Sequence, residues 1–402
     1  MDQALSDIRV LDLTQYVAGP CCTKFLADFG DDVVKVERPT GDPARHIGPF
    51  LDDSPHPEKS GLFLHLNTNK RSITVNLKTS LGVSVVKELV KGFDVVVESF
   101  RPGVMERLGL SYAFLKAINP KLVMTSMSNF GQTGPYRDFK ATDLILYAMG
   151  TAMNSCGRPG RQPLKLPARV DLFQPGYIGA VATMIAVYGS RYRGIGQHVD
   201  VSMMEVNSGS IDRSMTSLLA YQYHGEVSQK VEMGLTGYPA GVYPCKDGYI
   251  DIWGGLEWFP KTCAMMGMPE LVKDHRFDSR LKLLDPSLRT VFDEIWMPWV
   301  LERSKLEIMD ICRKYGIMAG YMATMDDLLR DPQYRARGFF VDVDRPVTGS
   351  VKQPGAPVKM SITPWAVRRP APLLGQHNAD IYQGVLGFSP AGIAQLRGLG
   401  VV

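Results

Sequence analysis

Basic residues recur in this sequence where runs of β-branched and apolar residues begin or end. Arg38 follows Val33–Glu37, Lys70 and Arg71 precede Ile73–Val75 and Lys78 follows it, and Arg101 and Arg107 come after Val95–Val97, with Pro102 and Gly103 beside them. In an open parallel sheet, ligands sit beyond the carboxyl ends of the strands. Several cations there suit a multiply phosphorylated ligand, with arginine gripping phosphate bidentately and lysine acting as a point charge. Taken singly, each also reads as solvated surface charge. The other candidate is Asp171, in Ala168-Arg-Val-Asp-Leu-Phe-Gln-Pro175, at the start of a helical stretch thick with Gly176, Gly179, Ala180 and Ala182. The helix dipole favours a carboxylate at that end. Asp171 therefore reads either as a plain cap or as an ionised carboxylate available for chemistry.

Several chemistries have no signature here. No G-x-G-x-x-G follows the first strand-like run, and neither a phosphate-binding G-x-x-x-x-G-K-[ST] nor a G-x-S-x-G elbow occurs. The seven His are dispersed without paired spacing, so no metal site is expected. Six Cys with no C-x-x-C pair read as reduced thiols in a chain too large to need disulfides. With 45 basic against 41 acidic residues, a formal +4 and no basic stripe, nucleic-acid binding is not expected. The 39 Gly and 27 Pro follow no period, which excludes collagen-like and low-complexity readings. Met1–Asp7 has no basic start leading into an apolar run, so no signal peptide is expected. The longest apolar stretch, Gly176–Gly189, has 14 residues, short of the roughly 20 a membrane span needs. A soluble cytoplasmic protein is expected.

The elements that must hold these residues are legible from the pattern. Arg9–Leu13, Asp32–Val36, Ile73–Val75, Asp94–Val97 and Leu122–Met124 read as strands. A helix carrying Phe25, Leu26 and Phe29, and another over Leu81–Val90, lie between them. Strands apolar on both faces, alternating with helices, predict an α/β fold with a Rossmann-like parallel sheet covered on both sides. Over 226–241 the text turns to Gly-, Pro- and Met-containing loop. Strand Tyr249–Trp253 and helices near 258–267, 288–303 and 305–315 then predict a smaller α+β domain. The predicted boundaries are 1–225 for the large domain, 226–330 for the small one and 331–402 for a C-terminal return. That return has a strand at Phe339–Val343, a crossing with Pro354, Pro357, Pro364, Pro370 and Pro372, and a helical tail at 388–399.

Stretches in order along nearly the whole chain resemble the class III CoA-transferases, relatives of formyl-CoA transferase and carnitine CoA-transferase. They include RVLDLTQYVAGP at 9–20, LADFGDDVVKVERP at 26–39, NKRSITVNLKT at 69–79, DVVVESFRPGVMERLGL at 94–110, INPKLVMTSMSNFGQTGPYRD at 118–138, GIGQHVDVSMME at 194–205 and LLGQHNADIYQGVLG at 373–387. The resemblance implies an interlocked dimer. It also implies that Asp171 attacks a donor acyl-CoA, with succinyl-CoA, a common donor in the family, as the expected one, giving a mixed anhydride and then an aspartyl-CoA thioester that a carboxylic acid acceptor resolves. Coenzyme A and its esters would then be substrates, with no permanently bound cofactor. By the same resemblance Val17 and Ala18 supply backbone near the thioester, and Arg38 a phosphate or adenine contact. Val75 to Lys78, Phe100, Arg101, Arg107 and Lys140 line the adenosine and phosphate site. Gln15 lies two residues before Val17, where formyl-CoA transferase has glutamine. Gly254-Gly255 stand for that enzyme's glycine-rich loop. Both departures point away from formate and oxalate, and an apolar Val17 points to a larger acceptor. Two alternatives stay open. The family's α-acyl-CoA racemases carry a His before the aspartate matching Asp143, where this chain has Thr142, and some members pair two related chains.

Overall fold

The computed structural model describes residues 3–208, 213–227, 230 and 237–402; part of the loop predicted at 226–241, residues 231–236, lies outside the described residues. The chain divides into two compact units. One comprises 1–156, 163–228 and 338–402, the other 157–162 and 229–337.

Six strands build the first unit: β1 (Arg9–Leu13), β2 (Asp32–Glu37), β3 (Arg71–Thr74), β4 (Val95–Glu98), β5 (Val123–Ser128) and β6 (His198–Ser202). They pair in the order β3-β2-β1-β4-β5-β6, every pair parallel. The predicted α/β class holds. Its physical basis is plain in β4, where Val95, Val96 and Val97 are all fully buried although they point to alternate faces. Each such valine contributes ~1.5–3 kcal/mol by leaving water. Helices α1 (Ala18–Asp28) and α4 (Val170–Arg193) pack on the face of Val10, Val97 and Met127. Helix α2 (Ser80–Val90), with Ile381, Tyr382 and Leu396 from the C-terminal segment, covers the face of Leu11, Val96 and Met124. A fourth helix used below, α3, spans Asp143–Met149. Strand β6 escaped the pattern reading; it is a short, half-exposed edge.

The C-terminal segment is tied to the end of β3. Asn378 Oδ1 accepts from Thr74 N–H at 2.9 Å, and the Tyr382 hydroxyl donates to the Thr74 carbonyl at 2.9 Å. These bonds occupy backbone groups that an open sheet edge would leave unpaired. The hairpin β10 (Phe340–Arg345) and β11 (Gly349–Pro354) belongs to the same unit.

The second unit has the antiparallel sheet β7 (Ala240–Cys245), β8 (Gly248–Trp253) and β9 (Met318–Tyr321). Helices Phe259–Met265, Pro286–Leu301 and Lys305–Tyr315 enclose a core around Phe259, Phe292 and Trp296.

One helix is longer than the pattern implied. Helix α4 runs 24 residues and by length and composition alone could cross a membrane, whereas the uninterrupted apolar run was bounded at 14 residues. Half of that stretch is buried inside the unit. Small residues make this possible: a Cβ on Gly176 would stand 2.6 Å from Cys21 Cβ and 2.8 Å from the Ala18 carbonyl oxygen. Only glycine lets α4 lie that close to α1.

Candidate active site

The strand order reverses between β1 and β4, so the loops after these two strands diverge and leave a crevice at their carboxyl ends. The loops meet at Gln15, whose N–H donates to Ser99 Oγ at 3.0 Å. Arg38, after β2, donates to Gln15 Oε1 at 3.1 Å and to the Gly41 carbonyl at 3.0 Å. After β1 the chain turns through Tyr16 at φ 73° and enters α1 at Val17, where no side chain caps the helix. The free N–H groups of that first turn face the crevice end of the sheet, a favourable place for negative charge. Val17 is fully buried in the core. Ala18 is buried beside it.

A cavity of about 260 Å3 opens at the ends of β4 and β5, and Phe100, Arg101 and Arg107 line it. Arg137 lines it too and was missed. The Nη1 of Arg107 and Nη2 of Arg137 converge on Gly103, 3.3 and 3.4 Å from where its Cβ would be. Among the described residues the one carboxylate at ion-pair distance from Arg107 or Arg137 is Asp138, 3.6 Å from Arg137. Arginines drawn together with so little compensation make an anion site. Glu98, the last residue of β4, accepts from Phe100 N–H at 2.7 Å, and burial pushes its carboxyl up to about 7. Its charge is thereby roughly halved at neutrality.

Other predicted cations fall differently. Lys78 is exposed beyond buried Val75 at the end of β3, and Lys140 is exposed two residues beyond the cavity-lining Asp138. At ~4.8 Å per strand, β3 lies roughly 14 Å from β4, so Lys78, Arg38 and Arg101 form a row along one edge of the sheet. Lys70 is fully buried, 3.1 Å from Asp12 Oδ2, and donates to Thr23 and Asn67. Arg71 pairs with Asp32 at 2.5 Å. Neither is free for a ligand. Burial favours the neutral acid of Asp12, but Lys70 and Lys35 outweigh it and hold the carboxyl at about 2.

Asp171 sits in the first turn of α4, its residue fully buried. Lys165 Nζ is 3.0 Å from Oδ1 and 3.5 Å from Asp143 Oδ2, so one lysine serves two carboxylates at the starts of two helices. The 3.0 Å approach is an ion pair by distance only. Neither Asp171 oxygen accepts a hydrogen bond from an aligned donor. The cap reading therefore does not describe it, since a cap accepts a backbone N–H. The cap position belongs to Arg169, which with Ala168 has positive φ, 56° and 63°. Two consecutive non-glycine residues in that region cost about 1–3 kcal/mol each, strain of the kind that collects at functional sites. Arg169 Nε donates to the Tyr16 hydroxyl at 2.8 Å, tying this turn to the loop after β1. Pro175, four residues on, lacks the N–H that would bond the Asp171 carbonyl. Asn207 Nδ2 donates there instead, at 3.0 Å, and Gly150 leaves it room. Lys165 and Asn207 lie in segments without periodic signal; Pro175 alone hinted that a side chain must satisfy that carbonyl.

Gly254 and Gly255 are buried in the second unit. A Cβ on them would meet Thr262 Oγ1 at 2.5 Å and Tyr238 N at 2.7 Å, so close packing accounts for glycine at both positions. Thr142, where a racemase would carry His, stands at the N-terminus of α3 without a side-chain capping bond. Among the described residues no three or more His, Cys, Asp or Glu gather as metal ligands.

Residues 5–378 match CoA-transferase family III. The chain is 33% identical over 402 residues to the succinyl-CoA–D-citramalate CoA-transferase of Chloroflexus aurantiacus, spanning 99% of this chain and 98% of that protein. It is 33% identical over 425 residues to the formyl-CoA:oxalate CoA-transferase of Afipia carboxidovorans (100% and 98%). To the succinate–glutarate CoA-transferase of Agrobacterium fabrum it is 32% identical over 391 residues (94% of each). A CAIB/BAIF family protein from Brucella suis superposes with a TM-score of 0.87 at 30% identity, over 96% of this chain and all of that one. The chain belongs to CoA-transferase family III. It is an enzyme acting on CoA thioesters.

Proposed function

We propose that the enzyme moves CoA from succinyl-CoA to a second carboxylic acid by way of Asp171. The observation that carries this reading is a fully buried carboxylate with no hydrogen-bond donor aligned on either oxygen and a lysine 3.0 Å away. Such a group is held in place with its lone pairs free. Its oxygen attacks the thioester carbonyl, the C–S bond breaks, and a succinyl-aspartyl anhydride forms with CoA thiolate. The thiolate then attacks the Asp171 carbonyl, expels succinate and leaves an aspartyl-CoA thioester. The acceptor carboxylate reverses both steps and regenerates Asp171. No net proton is transferred, and one difficult displacement becomes four easier ones. Arg107, Arg137 and Arg101 would hold CoA phosphate groups, and Arg38 and Lys78 the far end of the cofactor. The four charges of those phosphates match this set. Succinyl-CoA as donor rests on two relatives named for succinyl-CoA or succinate.

The same reading includes self-association as a homodimer. Tyr177, Val181, Ile185, Tyr188 and Tyr192 form an exposed stripe along α4, 47 to 75% accessible, at the spacing of one helix face. All six cysteines are free, in keeping with a reducing, cytoplasmic setting. Asp171→Asn tests the core of the proposal: succinyl-CoA-dependent transfer should fall by roughly 10⁴-fold or more with the fold retained. Hydroxylamine added with succinyl-CoA should mark Asp171 in a peptide map. Near-normal turnover of the variant would refute it.

A further inference from the structure

A second, larger cavity of about 410 Å3 lies in the first unit between the segment 49–65 and the hairpin β10–β11. Its volume is in the range of small-ligand pockets. It shares no residue with the Asp171–Lys165 pair or with the arginine-lined cavity. The wall is largely apolar, with Phe50, Leu64 and Val351 among its residues, and the polar side chains on it include His65, Arg345 and Thr348.

Arg345 is the anomaly. Lys35, Lys70, Arg45 and Lys305, all as buried, each have a carboxylate within 3.1 Å: Asp42, Asp12, Glu37 and Asp327. Arg345 is 8% exposed and has no carboxylate at ion-pair distance among the described residues. Its Nη2 donates to the Leu64 carbonyl and to Gln353 Oε1, both neutral, while Nε is buried without a partner. Thr348 Oγ1 and His65 Nδ1, on the same cavity, are likewise buried and unpartnered. Burial lowers Arg345 to about 10, which leaves it charged at neutrality, and drives His65 down to about 3, which leaves it neutral. A buried, uncompensated cation is costly, and fixed donors with no acceptor add to the cost. Lys59 also lines the cavity and adds positive charge.

We propose that this cavity is a binding site for an amphipathic monocarboxylic acid. Its carboxylate pairs with the Arg345 guanidinium and accepts from Thr348, and its hydrocarbon body lies against Phe50, Leu64 and Val351. The carboxylate supplies the missing counter-charge, and the apolar wall selects an acid with a hydrophobic body over a small hydrophilic one.

The test is isothermal titration calorimetry of the full-length protein with octanoate, with octan-1-ol and acetate as controls. Octanoate should bind one per chain. Octan-1-ol and acetate should each bind roughly tenfold or more weakly, since one lacks the charge and the other the apolar body. Arg345→Met should weaken octanoate at least tenfold while CoA transfer continues, and Arg345→Lys should restore part of the affinity. Thr348→Val should weaken it several-fold, which keeps the test decisive if Arg345→Met fails to fold. Asp171→Asn should leave octanoate binding unchanged, so loss of transfer and loss of binding are separable. Absence of octanoate binding, equal affinity in Arg345→Met, or loss of binding in Asp171→Asn would overturn the proposal.

Discussion

Replacing Lys165 by methionine isolates the electrostatic support of Asp171. Methionine keeps an unbranched apolar stem near the Tyr147 ring, 5.7 Å from the lysine nitrogen, and removes the charge together with its contacts to the Leu166 carbonyl and Asp143. Two unit charges 3.0 Å apart attract by ~5–6 kcal/mol at an effective dielectric of ~20. Lys165 keeps 18% of its side chain in solvent, and its own desolvation opposes the gain, so we discount this to ~2–3 kcal/mol. Urea unfolding of Lys165→Met at neutral pH should lose about that amount. Asp171→Asn removes the other charge, and there the same lysine substitution should cost less than ~1 kcal/mol, a coupling of ~2 kcal/mol in the double-mutant cycle. If the same free energy positions the nucleophile, kcat/KM for transfer should fall ~30- to 150-fold in Lys165→Met. Additive stability losses in the cycle, or wild-type turnover in Lys165→Met, would show that the lysine merely lies nearby.

Arg107→Ala and Arg137→Ala should each raise KM for CoA esters more than they lower kcat, and unchanged KM would remove that residue from the phosphate site. Glu98 gives a pH signature. Its folded-state value of about 7 lies above its ordinary 4.5, so its penalty is absent well below 4.5, grows as pH rises from about 4.5 to 7 and levels off above that. Glu98→Gln should match wild-type stability near pH 4.5 and exceed it by up to ~3 kcal/mol near pH 8; parallel pH profiles would refute the assignment. Ile185→Asp, on the exposed stripe of α4, should halve the mass measured by light scattering, and an unchanged mass would place any self-association elsewhere.

The sheet was readable because its strands are buried on both faces, so Arg9–Leu13, Asp32–Glu37 and Val95–Glu98 stand out as apolar runs without reference to their neighbours. Strands that escaped notice carry the residues that blur such a signal. β7 contains Gly241 and Pro244 and is an edge, where proline costs no ladder hydrogen bond, and β9 is only Met-Ala-Gly-Tyr. Charge was harder to read. Lys70 and Arg38 flank strands alike, yet Lys70 is locked to Asp12, fifty-eight residues away, and Arg38 stays exposed. A single sequence shows that a cation is present, not whether the fold supplies its counter-ion.

That distinction also ties the two cavities together. The polar interior beneath the sheet's carboxyl edge is neutralised within the protein, Lys35 by Asp42, Lys70 by Asp12 and Arg45 by Glu37 and Glu58. Positive charge is left over at Arg107 and Arg137 around Gly103, and at Arg345 in its apolar pocket. Each surplus marks where an external anion lowers the free energy. The first is multiple and largely exposed, as a phosphate chain requires. The second centres on one buried guanidinium in an apolar-walled cavity that Lys59 also lines, and salt should distinguish them: CoA-ester affinity, with several cations on a multiply charged ligand, should fall steeply with ionic strength, while binding of singly charged octanoate should fall less. Equal salt sensitivity at both sites would contradict the pairing of a single carboxylate with Arg345.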